Sequence, residues 1–398
     1  MFEKIKLKNL VDLRAGIGFP NKYQGNKNGN IPFYKVGDIS REFQKGNFYI
    51  DDADNYVTDE ILTDLKGKLF EEGTIIFAKV GEALKLNRRI ILTKKAMIDN
   101  NIFGIKSNNS RLNNKYLFYF LLQYDLGNIC KTGAVPSVNQ SDIYSISIPL
   151  PSTSEEQQEI VDVLDAASEI IRLRTACIES AQSLIPALFL EMFGDMTKNT
   201  NNYELFKIKD LGKVTTGSTP SSKKENMFGG TTPFITPADL ELGQDKYSRY
   251  VTPEGAQNSR IVRTGSTLVC CIGATIGKVD RAIVYSCFNQ QINAIEWNEN
   301  INDIFGLYLF RQIAPLIRNK ASHTTLPILN KGNFENIIIP KPPKPKQELF
   351  AAKAQEIEEY IKTQQAELDN AKTMFQSLLH QAFTGKLTEN ITFEAENE

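Results

Sequence analysis

Ile160-Val-Asp-Val-Leu164-Asp-Ala-Ala167-Ser-Glu-Ile-Ile171-Arg-Leu-Arg174-Thr-Ala-Cys-Ile178 opens an apolar seam that continues through Ala181, Ile185, Leu188 and Met192. Its steps alternate strictly between four and three residues. That spacing places every member on one face of a helix and marks coiled-coil pairing. Near the C-terminus the pattern returns as Phe350, Ala354, Ile357, Ile361, Gln364, Leu368, Ala371, Phe375, Leu378 and Ala382. One polar residue interrupts each copy at the fifth position, Arg174 or Gln364. Each stripe has nothing local to cover it, so pairing with the other is the economical solution. Run antiparallel, the helices bring Arg174 and Gln364 together near the middle, where a polar seam residue can set register. At ~1.5 Å per residue the seam makes a rod of about 50 Å.

The repetition extends beyond the helices. Lys6-Leu-Lys-Asn-Leu10 answers Lys207-Ile-Lys-Asp-Leu211, and Ile31-Pro-Phe-Tyr-Lys-Val-Gly-Asp-Ile39 answers Thr232-Pro-Phe-Ile-Thr-Pro-Ala-Asp-Leu240, both displaced by 201. Gly73–Gly81 answers Gly265–Gly273 at 192; Val135-Pro-Ser-Val-Asn139 answers Leu326-Pro-Ile-Leu-Asn330, and Ile146–Pro149 answers Ile337–Pro340, at 191. One globular-plus-helix unit is therefore present twice, which is a duplication and not a solenoid. Short β-branched runs bounded by Gly, Asn or Pro predict strands over Gly73–Val80, Arg89–Leu92, Ile102–Ile105 and Ile146–Leu150. Tyr116–Gln123 and Ile304–Ile313 read as short amphipathic helices.

The expected fold class is α+β. Two similar mixed, mostly β domains, 1–151 and 199–345, are separated by long helices over 152–198 and 346–386 that pair antiparallel in a pseudo-two-fold internal repeat. Ser152-Thr-Ser-Glu-Glu-Gln157 offers capping-box starts for the first helix, and Pro186 should kink it or limit its last turns. Pro340-Lys-Pro-Pro-Lys-Pro345 reads as a stiff extended lead into the second. The acidic tail 387–398 is expected to be frayed and disordered.

Composition narrows the class. No apolar run reaches the ~18 residues of a membrane span, and the N-terminus lacks the apolar core of a signal peptide. Five cysteines without Cys-x-x-Cys spacing point to a reducing, cytoplasmic setting. With only His323 and His380, zinc or triad chemistry has little to work with. The formal charge of −1 hides an alternation: residues 1–150 carry +5, 151–199 carry −6, 200–345 carry +5 and 346–398 carry −5. Mildly basic blocks alternate with acidic helices, a pattern suited to an anionic partner for the blocks and protein docking on the helices.

No catalytic motif stands out. Gly273-Ala-Thr-Ile-Gly277-Lys278 is one residue short of a phosphate loop and lacks its Ser/Thr, so a tight strand–turn–strand is expected. There is no Asn/Asp-Pro-Pro-aromatic tetrapeptide of an adenine methyltransferase, and Cys270-Cys271 read as strand core. Loop chemistry is richer. Lys22, Tyr23, Gln24, Asn26 and Lys27 occupy a loop equivalent to Ser218, Thr219, Ser221, Ser222, Lys223 and Lys224. Lys79, Lys85, Arg88 and Arg89 cluster at one strand turn, matched by Lys278 and Arg281. Lys131 and Thr132, and His323, Thr324 and Thr325, precede the repeated Pro-x-x-Asn. Amides, hydroxyls and lysines pair with base edges and phosphates, though each stretch also reads as a solvated turn.

At this point the chain resembles the specificity subunit of type I restriction-modification enzymes along essentially its whole length. The two blocks, the two helices, Leu188-Phe-Leu-Glu-Met-Phe-Gly-Asp195, Gln381-Ala-Phe-Thr-Gly-Lys-Leu387, and the helix leads Glu156-Gln-Gln-Glu-Ile160 and Lys346-Gln-Glu-Leu349 carry the likeness. The resemblance implies two target-recognition domains, each reading half of a bipartite, asymmetric double-stranded DNA target, with the rod as a ruler. It implies no catalysis and no cofactor in this chain. Two methyltransferase subunits would bring S-adenosylmethionine, and motor-nuclease subunits, where present, ATP and magnesium. A methyltransferase or nuclease acting alone, and a non-DNA adaptor with two binding domains on a rod, remain alternatives.

Overall fold

The computed structural model describes residues 2–130, 135–221, 223–240, 247–322 and 327–387. The chain divides into two compact units, Met1–Ile178 with Thr363–Glu398, and Glu179–Lys362. The sequence predicts two globular blocks and two helices paired with each other; in the structure each unit takes one block together with parts of both helices. Each long helix, Ser154–Phe193 and Lys344–Thr384, gives one half to each unit. The reason is burial: an apolar seam is stable only where side chains cover it, and each globular block supplies that cover.

In the first unit a five-stranded sheet runs in the order Val11–Ala15, Ile102–Ser107, Ile75–Ala78, Ile90–Leu92, Tyr49–Ile50. A three-stranded sheet joins Asn55–Val57, Ile31–Tyr34 and Met97–Ile98, and Glu3–Lys6 pairs antiparallel with Ser147–Leu150. Helix Asn114–Gln123 packs Tyr116, Leu117 and Phe120 into a core with Ile160, Leu164 and Ala167 of the first long helix and Phe375, Leu379 and Phe383 of the second. Burying one such side chain contributes about 1.5–3 kcal/mol. Early residues of one helix thus share a core with late residues of the other, and Arg174 meets Gln364. Within this unit the helices are antiparallel, as expected.

The second unit repeats the plan. Gly212–Thr216, Ile292–Trp297, Thr267–Cys270 and Val279–Arg281 form one sheet; Tyr250–Val251, Phe228–Ile235, Ser286–Phe288 and Ile261–Val262 form another. Glu204–Lys207 pairs with Ile338–Lys341. Here Phe189 lies 5.2 Å from Phe350 and 5.6 Å from Phe305, between ring centroids. No seam residue named above is exposed in either unit.

Several local expectations need correction. The first helix continues through Pro186 to Phe193: proline removes one helical hydrogen bond, and the packing of Ile185 and Phe189 carries the helix across the gap. The Pro340–Pro345 lead is not an extended spacer, because Ile338–Lys341 is a strand and the helix starts at Lys344. The helix expected over Ile304–Ile313 runs Asp303–Lys320. Leu387, placed in the tail, is buried in the first core, while 388–398 lie outside the described residues. The outer helix faces are not purely acidic, since Ile170, Leu173, Leu184, Leu190, Leu349, Tyr360 and Met374 are exposed on them. One window of Ser154–Phe193 reaches a mean hydropathy of 1.2, apolar enough by composition for a membrane span. Its seam side chains instead line the two protein cores.

Candidate nucleic-acid interface

Several segments of the first unit, the Lys79 turn among them, meet at one end of its five-stranded sheet. Gly16 N donates to Ile102 O at 3.1 Å, where strand Val11–Ala15 ends; Lys79 N donates to Asn101 O at 2.9 Å, where Ile75–Ala78 ends. Asp99 N donates to Tyr34 O at 2.9 Å, adding the end of Ile31–Tyr34. Val138 N donates to Lys79 O and Gly81 N to Pro136 O, tying in the Pro-x-x-Asn segment. Gly81 has φ of +79°, which favours glycine, and Asn139 caps helix Gln140–Ser145.

The second unit closes the same way. Gly217 N donates to Ile292 O, Cys271 N to Gln291 O, Asn289 N to Ile235 O, Leu329 N to Cys271 O and Gly273 N to Pro327 O. Asn330 caps helix Lys331–Glu335. The repeated Pro-x-x-Asn is therefore a clasp: the proline carbonyl holds the strand-end glycine and the asparagine starts the next helix. Gly273–Gly277 is the expected tight turn, closed by Gly277 N to Cys270 O at 2.9 Å, and burial pushes the Cys271 thiol up to about 12.

Individual candidates fare differently. Lys22 and Tyr23 both bond Asp64, at 3.3 and 2.5 Å, and hold its carboxyl below the usual range. Gln24 donates to Asn21 Oδ1, Asn26 Oδ1 accepts from Asn28 N, and Lys27 donates to Ala53 O. This loop is exposed but internally knit. Lys79 is half-buried with Nζ 5.1 Å over the Phe103 ring; Lys85 is exposed and paired to Glu82; Arg88 is half-buried. In the second unit Ser218 and Lys278 are half-buried, while Thr219, Ser221, Lys223 and Lys224 are exposed. Lys131, Thr132, Ser222, His323, Thr324 and Thr325 lie outside the described residues.

Two candidates are corrected. Arg89 is fully buried, with its guanidinium 5.0 Å from the Phe77 ring centroid, bonded to Asn87 Oδ1 and Arg88 O. Burial pulls its pKa down to about 9 against the pull of Asp125. It directly precedes strand Ile90–Leu92 and is packed into the core, so it cannot present itself to DNA. Arg281 donates to Glu358 on the second long helix at 2.6 Å, and Tyr308 donates to the other oxygen of that carboxylate at 3.0 Å. The first unit does likewise, with Lys115 and Tyr119 bonding Asp165 at 2.7 and 2.6 Å. These cation–tyrosine–carboxylate groups bolt block to helix.

Sequence reasoning missed the turn at the centre of each sheet end. Asp99-Asn-Asn-Ile102 and Asn289-Gln-Gln-Ile292 stand there, displaced by 190, and that shared displacement was the available signal. It also missed Gln157 and Gln347, buried at the helix starts. Gln157 bonds Asn113 N and Arg111 O; Gln347 bonds Asn302 N, Asn300 O and Pro342 O. Each anchors the loop leading to the next helix of its block.

The family comparison, too, divides the chain into two matched halves. The model of the type I restriction modification DNA specificity domain matches residues 1–181 and 200–371. The chain belongs to that family. As a type I specificity-domain protein it is 23% identical over 359 residues to a Methanocaldococcus jannaschii chain named as the MjaX type I restriction enzyme specificity subunit, covering 83% of this chain and 82% of that one. It is 24% identical over 309 residues to the EcoDI specificity subunit of Escherichia coli, covering 68% and 69%. The solved type I restriction-modification S subunit from M. genitalium aligns over 96% of both chains with a TM-score of 0.59 at 14% identity. That likeness speaks for the specificity-domain fold alone.

Proposed function

We propose that this chain is the DNA sequence-recognition subunit of a type I restriction-modification assembly. Each unit reads one half of a bipartite target through its loop-bearing sheet end. The observation that carries this is the repeated meeting of polar segments at one sheet end on two similarly built scaffolds, with different side chains in each copy. Similar scaffolds with unequal loops suit two different half-sites, hence an asymmetric target.

The chain itself contributes no chemistry; methylation belongs to two methyltransferase subunits that hold S-adenosylmethionine. Motor-nuclease subunits, where the assembly includes them, use ATP and magnesium. The exposed apolar side chains on the long helices, Leu173 and Leu184 among them, together with the surrounding carboxylates, suit protein docking better than phosphate. The seam sets the spacer. Deleting four seam residues from one helix should change the spacer and leave the half-sites alone; an unchanged spacer refutes the ruler.

The decisive experiment is a map of methylated adenines in host DNA with and without this chain. A bipartite motif that disappears with the chain supports the proposal. A motif that persists unchanged overturns it. A non-DNA adaptor is separated by salt: DNA binding by the assembled complex should fall by about one log unit per log of salt for each phosphate contact.

A further inference from the structure

The centre of each sheet end is a turn whose chemistry the candidate loops do not account for. In the first unit Asp99 Oδ1 accepts from Asn101 N at 2.9 Å, and Ile102 N donates to Asp99 O at 3.0 Å. The side chain of the first residue is thus folded onto its own backbone, and Asn100 and Asn101 are left exposed at the tip. In the second unit Asn289 Oδ1 accepts from Gln291 N at 3.1 Å and Ile292 N donates to Asn289 O at 3.2 Å, leaving Gln290 exposed at the matching place.

Both turns are held firmly from beneath. A methyl group on Gly16 would sit 2.0 Å from Ile98 O, and one on Gly217 would sit 2.1 Å from Asn289 O. The backbone at Gly16, ahead of the first candidate loop, and at Gly217, beside Ser218, is therefore pressed against the backbone that enters each turn. Thr219 Oγ1 donates to Gln290 Oε1 at 2.6 Å and fixes that side chain. In the first unit two lysines belong to the segments bonded to the turn. Lys79 Nζ lies 5.1 Å over Phe103, and Lys35 Nζ lies 5.6 Å over Phe19, whose ring stacks on Phe33 at 3.9 Å.

We propose that Asn100 and Gln290 are specificity-determining residues, each hydrogen-bonding an adenine in the major groove of its own half-site. This rests on the proposed DNA-recognition function. Three features favour it. An amide side chain offers one acceptor and one donor in the spacing that adenine N6 and N7 require. The exposed tip of each turn is only one or two residues, small against a groove about 12 Å wide. A reader should stand on rigid elements, and these turns continue sheet strands that are clamped by their neighbours. The carbonyl oxygen of Gln290 keeps a second lone pair for adenine N6–H after accepting from Thr219, and its amide N–H can donate to N7. In the first unit Lys35 and Lys79 supply positive charge for flanking phosphates. The tips differ by one methylene, so the two units reach different depths toward their bases.

The test uses the full chain assembled with its methyltransferase subunits, with motif and rate read from methylation of a randomised-target DNA library. Asn100→Ala should lower methylation of the parental target about 5- to 150-fold and relax the base preference at one position of one half-site. Gln290→Ala should do the same in the other half-site only. Asn100→Gln and Gln290→Asn, which keep the amide and cannot disturb the core, should retain adenine preference with reduced rate. Parental motif and rate in both alanine variants overturn the proposal, and so does a uniform loss across all base choices, which is the mark of a structural or phosphate-binding role. Absence of any bipartite motif with the parental chain overturns the recognition function along with it.

Discussion

Arg174 Nη1 donates to Gln364 Oε1 at 3.0 Å, joining the only polar members of the two helical seams, and Arg174 also pairs with Glu367. Arg174 and Gln364 are half-buried, so the pair is worth little in net energy and much in register. Arg174→Leu alone should cost under about 1 kcal/mol. Adding Gln364→Leu should recover the loss, because an apolar pair completes the seam. A double-mutant cycle in urea unfolding measures the coupling, expected at about 0.5–1 kcal/mol.

Gly16→Ala should destabilise the first unit by ~1–3 kcal/mol, since its methyl group meets the carbonyl of Ile98. Gly18→Ala is the control. A Cβ there meets nothing within 4 Å, so the change should be near neutral or mildly stabilising. Thermal unfolding of the two variants side by side checks the contrast.

Gln347→Leu keeps the apolar volume but strands Asn302 N, Asn300 O and Pro342 O away from water. An unsatisfied buried backbone group costs about 1–3 kcal/mol. The variant should lose at least ~2 kcal/mol in urea unfolding. Gln157→Leu should act in the same direction in the first unit.

Burial pushes the Asp239 carboxyl up, but hydrogen bonds from Thr236 and Ser248 outweigh it and hold the group below its usual value. A carboxylate depressed in the folded state contributes stability that is complete above its ordinary pKa of about 3.9. That contribution is lost as pH falls through the depressed folded value. Stability measured from pH 5 downward should therefore fall less steeply in Asp239→Asn than in the parent, from a lower starting level.

Arg89→Met should leave unfolding free energy unchanged or raise it by about 1–2 kcal/mol, because an apolar side chain of similar length replaces a buried charge. Its neighbours Phe77 and Ile90 are buried and apolar, so a Met side chain there meets apolar surroundings. A large loss in denaturant unfolding would show that the bonds to Asn87 and Arg88 outweigh desolvation.

Much of this was legible in the chain itself. The seam, the duplication, the polar registry pair and the phosphate-loop imitation at Gly273 were readable because helix period, displacement and glycine spacing are local properties. Arg89 and Arg281 misled because charge says nothing about which face of a strand it falls on. One is buried at the entry to a strand whose residues are all buried, and the other is taken by a carboxylate on a helix 77 residues away. The amide turns at Asn100 and Gln290 escaped notice because three residues carry no periodicity.

The sequence alone determined that one module occurs twice and that each copy ends in a helix needing a partner, since burial demand follows from spacing. Only tertiary structure decided where that demand is met: half of each helix enters each core, and loops far apart in sequence share one sheet end. Hydrophobic pattern specifies what must be covered, whereas strand pairing and backbone hydrogen bonds over long separations choose the neighbours that cover it.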